Sequence, residues 1–174
     1  MNPPNVPDGK FFAWLGQFQW VHRLGILDSY TIFRTDLQLA NNQLLSLYQL
    51  ALCERYSVRG YQETTLLRYN AVITSLEGRV PLVRNTSWAD YLELAPFLDY
   101  GRGWNTAVAT VGQKYLYSVG AGLRWGVTIP QPIPIRPQFE IYWGHPIKSR
   151  PNFSNDKNTL QDNGIHLQFV LGVF

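Results

Sequence analysis

The sequence predicts an all-β chain that contributes seven strands to an antiparallel transmembrane β-barrel. Apolar and polar side chains alternate in seven stretches, which is the period of a strand with two different faces, and charge falls on one face only. The stretches are mostly about 10–14 residues long, longer than the strands of globular sheets and long enough to cross a membrane. They cover residues 11–24, 30–40, 71–82, 91–101, 114–130, 137–147 and 165–174.

The first four stretches each separate a polar face from an apolar one. The polar faces hold Gln17, Gln19 and Arg23, then Arg34, Asp36 and Gln38, then Ser75, Glu77 and Arg79, then Glu93 and Asp99. Pro81 is expected to end the third strand, because proline cannot donate to a ladder. Residues 44–52 are amphipathic, and we expect a loop or short irregular structure there, with a helical turn or two as the alternative.

The last three stretches alternate most clearly. Their polar faces hold Lys114, Ser118, Gly120, Gly122, Arg124 and Gly126, then Gln138, Glu140 and Tyr142, then His166 and Gln168. The apolar faces carry Trp, Tyr and Phe near strand ends, as the aromatic girdles of outer-membrane barrels do. The lipid-facing stripe would include Tyr115, Tyr117, Leu123 and Trp125.

Short and long connections alternate, as in outer-membrane barrels with short turns on one side and long loops on the other. The sequences GILDS and QPIPI are short, whereas residues 41–70, 102–113 and 148–163 are longer and polar. Residues 83–90 are the exception, because a connection of medium length falls where a short one is expected.

Composition agrees with this prediction but leaves an alternative open. The 174 residues are 14% aromatic and only 16% charged, which suits a chain with both a core and a lipid face, or a soluble aromatic-rich β-protein that binds a ligand. The net charge is +3 with scattered Lys and Arg, so a nucleic-acid partner is not expected. No apolar run is long enough for a transmembrane helix.

Seven strands leave two sheet edges open, and lipid cannot form hydrogen bonds with the unpaired backbone groups of those edges. The chain therefore belongs to a larger barrel, or has an eighth strand, or pairs with other chains. The Pro- and Asn-rich start without an export signal favours the first of these. We expect residues 1–174 to be the C-terminal part of one transmembrane barrel domain, without its N-terminal strands.

Two motifs carry a resemblance to a known family. Residues 58–61 read VRGY and residues 97–101 read FLDYG, one hairpin later. The chain resembles the two-partner secretion translocators, which export haemolysins and filamentous adhesins and share a superfamily with the BAM-type insertases. The resemblance covers nearly the whole chain, as the last seven strands of the family's barrel. The motif residues are Val58, Arg59, Gly60 and Tyr61, with Phe97, Asp99 and Gly101 in the second motif.

The resemblance implies that the long loop folds back into the barrel lumen and that its arginine pairs with the inner-wall aspartate. In this chain that predicts Arg59 with Asp99, which the alternation independently places on the polar face. Glu77 is a second possible partner of Arg59. Gly60 would let the loop tip turn sharply. Gly120, Gly122 and Gly126 would leave room for the loop.

The resemblance also implies partners and a location. The chain would lie in outer-membrane lipid, secrete a passenger polypeptide, and be inserted by the barrel assembly machinery, which reads the terminal aromatic Phe174. The family's periplasmic POTRA domains are missing from this sequence. The alternative within the superfamily is an insertase, which these motifs separate poorly from a translocator.

Other chemistry is not expected. Cys53 is the single cysteine, so it can neither form an internal disulfide nor hold a metal by itself. His22, His145 and His166 are far apart in sequence and are expected to be ordinary strand residues. We therefore expect no enzyme, no metal site and no cofactor.

Overall fold

The computed structural model describes residues 9–53, 57–61, 66–130, 133–147, 160 and 163–173. These residues form one seven-stranded sheet and one two-stranded ribbon, and every strand pair is antiparallel. The curved sheet is part of a barrel, so the predicted fold class is confirmed. Within the described residues, no helix has the length and apolar character needed to span a membrane.

The strands follow one another around the sheet in chain order. They are β1 (Ala13–Arg23), β2 (Tyr30–Ala40), β3 (Leu50–Ala51), β4 (Leu67–Arg68), β5 (Asn70–Thr86), β6 (Ala89–Trp104), β7 (Tyr115–Gly126), β8 (Ile135–Pro146) and β9 (Ile165–Val173). The large sheet has the order β1-β2-β5-β6-β7-β8-β9. The ribbon β3-β4 and a single 3-10 turn at Ser46–Tyr48 lie within the long connection between β2 and β5.

The β5–β6 hairpin departs from two predictions. Pro81 does not end its strand, since β5 continues to Thr86 with a register shift between Pro81 and Val83. A bulge is where a sheet tolerates proline, because the ladder is locally interrupted there. The connection expected to be of medium length is a turn of only two residues, Ser87 and Trp88, between β5 and β6. Short and long connections therefore alternate here as well.

The two faces of the sheet differ as the alternation predicts. Along β6 the buried positions are Ala89, Glu93, Ala95, Phe97, Asp99, Gly101 and Gly103. The intervening Leu94 and Leu98 are exposed to 39% and 54%. Large apolar side chains also cover the outer face of the other strands, including Phe18, Leu76, Leu123, Trp143 and Phe169. The concave face is polar, and the outer face is apolar.

The buried apolar cluster joins the long connection to the inner face of the sheet. Leu52, Cys53, Val58, Tyr61 and Leu66 come from the connection between β2 and β5. They pack on Ala71 and Ile73 of β5 and on Leu116 of β7. Burying a large apolar side chain contributes about 1.5–3 kcal/mol, so this cluster holds the connection against the wall.

Candidate functional site

The segment of residues 57–61, here called the loop tip, lies on the concave face of the sheet. The Val58 N–H donates to the Leu52 carbonyl at 3.2 Å, and the Ser57 hydroxyl donates to the same oxygen at 2.9 Å. These bonds turn the chain back on itself. Val58 then packs over Gly101 of β6, where a Cβ would meet its Cγ2 at 2.7 Å. The glycine at position 101 therefore makes room for the loop tip.

Antiparallel register assembles the wall patch that faces Arg59. Ser75 and Glu77 of β5 lie directly opposite Asp99 and Phe97 of β6. Residues two apart in a strand share a face, so all four side chains point to the concave side. Local alternation predicts that Glu77 and Asp99 are on the polar face, but only the register brings them together.

Arg59 binds Asp99 through a fork of two hydrogen bonds. Its Nε donates to Oδ2 at 2.9 Å and its Nη2 donates to Oδ1 at 2.8 Å, while its backbone N–H also donates to Oδ2 at 3.0 Å. Both residues are buried, with 6% and 4% of their surfaces exposed. Burial by itself lowers the pKa of Arg59, but the bonds and charges of Asp99 and Glu77 outweigh it and raise that pKa above its ordinary value. The guanidinium is therefore held as a cation.

The other partners of Arg59 fix the orientation of its guanidinium. Nη1 forms an ion pair with Glu77, and Nη2 donates to the Ser75 hydroxyl at 3.0 Å. That hydroxyl in turn donates to Asp99 at 2.7 Å. Arg59 Cζ lies 3.6 Å from the centre of the Phe97 ring, a close cation–π contact. A lysine could not reproduce this planar set of contacts.

Gly60 and Tyr61 complete the contacts of the loop tip. Gly60 has φ +88° and lies so close to β8 that an added Cβ would be 2.7 Å from the carbonyl of Gly144. The Tyr61 hydroxyl donates to the Tyr117 carbonyl at 3.0 Å and accepts from the Tyr117 N–H at 3.3 Å. Tyr61 is 1% exposed. Together the four VRGY residues contact the strands β5, β6, β7 and β8.

A network of charged side chains extends from the patch along the concave face. Arg79 pairs with Glu77, and Arg124 bridges Glu93 at 3.1 Å and Glu140 at 2.7 Å. Glu93, Arg124 and Glu140 are direct cross-strand neighbours on β6, β7 and β8. The alternation predicts that these residues lie on polar faces, but it does not predict the network, because ion pairs between strands depend on register.

A cavity of about 360 Å³ lies beside this network. Its lining includes Arg59, Glu77, Arg79, Arg124 and Glu140. The cavity therefore adjoins the loop tip and is lined by side chains of both charges. Water or a polar chain can form hydrogen bonds with such a surface.

The prediction that Gly120, Gly122 and Gly126 leave room for the loop is wrong. A Cβ on Gly120 would collide with Trp143 backbone and the Phe97 ring, one on Gly122 with Tyr142, and one on Gly126 with Tyr91. These glycines let wall aromatics lie flat across the neighbouring strand. The glycines that accommodate the loop are at positions 101, 103 and 144.

The remaining predicted features give no further site. Phe174 lies outside the described residues. In the described part of the chain, no group of three or more His, Cys, Asp or Glu side chains could hold a metal ion. Cys53 is buried and forms no disulfide.

Comparison with known proteins decides the family. The family model described as haemolysin secretion/activation protein ShlB/FhaC/HecB matches residues 1–125, which include the loop tip and the FLDYG motif. The chain belongs to this family. Its members are outer-membrane translocators of two-partner secretion, as the resemblance predicted. No curated protein and no solved structure matches the chain.

Proposed function

We propose that this chain is the C-terminal part of an outer-membrane translocator that secretes a partner polypeptide, and that the connection of residues 43–70 gates its lumen. The observation that carries the proposal is the buried fork between Arg59 and Asp99. It fastens the loop tip to the concave face, where a secreted chain would pass. In the proposal the docked loop gates the path, and an incoming extended passenger displaces or bypasses it.

The chemistry of the concave face supports passage of a polypeptide. The arginines that line the cavity each pair with a carboxylate of the same face. Amide side chains at Gln19, Gln138 and Gln168 line the cavity with them. Such a surface can hydrogen-bond the backbone of an extended chain without selecting its side chains. The outer apolar face would contact outer-membrane lipid. The barrel assembly machinery, reading Phe174, would insert the chain.

The translocator is a better proposal than the two alternatives. The insertases share the VRGY and FLDYG motifs, but the matching family model is that of haemolysin secretion. A soluble ligand-binding β-protein would not be expected to expose as many leucines and aromatics as the outer face does.

The test is secretion by an Arg59→Ala variant of the complete translocator. We expect less passenger in the medium, because a loop that is no longer fastened to the wall obstructs the path of the passenger. The translocator should still be inserted in the outer membrane at the normal level. Arg34→Ala is the matched control, because Arg34 is also a concave-face arginine but pairs with Asp36 on its own strand. Secretion by Arg59→Ala at the level of Arg34→Ala would contradict the gate.

A further inference from the structure

The loop tip also rests on the last hairpin of the sheet, in a part of the chain beyond the family match. Gly60 lies against Gly144 of β8, and its N–H donates to Nε2 of His166 on β9 at 3.4 Å. Gly144 N–H donates to the carbonyl of Gly164, which has φ +74° and leads into β9. His166 is 5% exposed. Gly144, Gly164 and His166 are called the tip seat below.

The glycine at position 144 serves the approach of the loop and not the conformation of its strand. Its φ lies outside the left-handed region, so β8 itself would accept alanine. A Cβ at this position would be 2.8 Å from Gly60 N, 2.9 Å from Gly60 Cα and 3.0 Å from the Arg59 carbonyl carbon. These are backbone atoms, so the loop tip would have to move as a whole.

The chemistry of His166 suits a bond to a backbone donor. A neutral imidazole has one unprotonated ring nitrogen that accepts a hydrogen bond, and Nε2 faces the Gly60 N–H. Gly60 directly follows Arg59, whose own N–H donates to Asp99. Fixing the peptide of Gly60 therefore also fixes the backbone from which the guanidinium of Arg59 reaches Asp99.

We propose that the tip seat is a second docking site for the loop and that His166 is the positioning residue that orients Gly60 and, through it, Arg59. The loop then bridges the wall from the patch on β5 and β6 to the final strand β9. Its release frees the concave side of the last hairpin as well as the patch. An effect of the tip seat on secretion rests on the proposed gate. The docking of the loop, in contrast, can be measured without measuring secretion.

Cys53 provides the measurement. It lies on the loop, is 0% exposed, and is the single cysteine of the chain. The rate at which a maleimide labels it in the protein assembled in isolated outer membranes reports how often the loop leaves the wall. A Cys53→Ser variant gives the background. The intensity of the folded band on an unheated gel reports whether each variant keeps its barrel.

Four variants test the seat. His166→Phe removes the acceptor and keeps a ring, and Gly144→Ala pushes the tip away. We expect each to raise the labelling rate about threefold to tenfold, which for His166→Phe is the effect of one lost hydrogen bond and for Gly144→Ala the effect of the displaced tip. His166→Gln restores an acceptor at a similar reach and is expected to label near the wild-type rate. Gly78→Ala is the strand control, because its Cβ would meet only Pro96.

The outcomes separate the seat from the gate. Wild-type labelling rates in both His166→Phe and Gly144→Ala would overturn the seat, as would an equal rise in Gly78→Ala. If His166→Phe does not assemble, Gly144→Ala and Gly78→Ala decide the question. Faster Cys53 labelling in His166→Phe and Gly144→Ala, with unchanged secretion, would support the seat and contradict the gate. Unchanged labelling in these two variants, together with lower secretion by Arg59→Ala, would contradict the seat and support the gate.

Discussion

Asp99→Asn tests most directly how the loop is held. The substitution keeps the shape of the side chain and one carbonyl oxygen, but it removes the charge that faces the buried Arg59 fork. Arg59 would retain its ion pair with Glu77 and its contact with Phe97. The loop should therefore still dock, but less firmly.

The magnitude follows from the geometry. Removing one partner of a buried ion pair costs about 3–5 kcal/mol when the remaining charge is left without compensation. Here Glu77 compensates part of the charge, and asparagine still accepts one bond, so about 2 kcal/mol is the expected loss of docking free energy. At 1.4 kcal/mol for each factor of ten, the undocked population rises about thirtyfold.

Maleimide labelling of Cys53 is the assay, because the buried thiol reacts only when the loop leaves the wall. The matched control is Asp36→Asn, another buried aspartate on the concave face. In the described residues Asp36 bonds Gln17 and Arg34, not the loop tip. We expect Asp99→Asn to label about thirty times faster than Asp36→Asn. Equal rates for the two variants would show that Asp99 does not hold the loop.

Three further predictions concern single contacts. Tyr61→Phe removes the hydroxyl that bonds both backbone groups of Tyr117, and a loss of about 1 kcal/mol should raise Cys53 labelling about fivefold. Phe97→Leu removes the ring under Arg59. Loss of a desolvated cation–π contact of about 2 kcal/mol should raise the rate of Cys53 labelling at least tenfold. An unchanged rate would show that this contact contributes no docking energy. Leu98→Arg puts a charge on the outer face, which costs about 2–4 kcal/mol at the bilayer midplane. This variant should lower the folded fraction in a urea titration. The control Gln17→Lys, at an exposed position of the concave face, should not.

Local alternation was sufficient to predict the fold and the faces of its strands. The polar positions of β6 and β7 follow a period of two, and this pattern can be recognised in one strand without knowing which strands lie beside it. Pro81 shows where this fails, because a bulge depends on the partner strand and leaves little trace in its own sequence. The two-residue turn before β6 was hidden for the same reason, since β5 extends beyond its apparent end.

The site was predictable only where a motif marked it. Arg59 and Asp99 came from the resemblance, and the polar face of β6 agreed with it. His166 gave no such signal, because a single histidine in a regular strand has the same local pattern whether or not a loop lies on it. The prediction for Gly120 and Gly122 was wrong for a related reason. A glycine on a concave face indicates that another group lies close to it, but not which residue supplies that group.

The loop combines two kinds of contact, and they would contribute differently to the proposed reversible gate. The apolar side chains Leu52, Val58 and Leu66 supply attraction that does not depend on direction. A buried ion pair adds little net attraction, since water solvates both charges well when they separate, but it is satisfied in only one geometry. Arg59 and Asp99 therefore define where the loop docks more than how tightly. Arg59→Leu together with Asp99→Leu would keep the loop on the wall but lose its exact placement. Cys53 would then stay protected from maleimide, but the loop would no longer control secretion of the passenger. This separation of protection from control distinguishes a positioned gate from a loop that is merely packed.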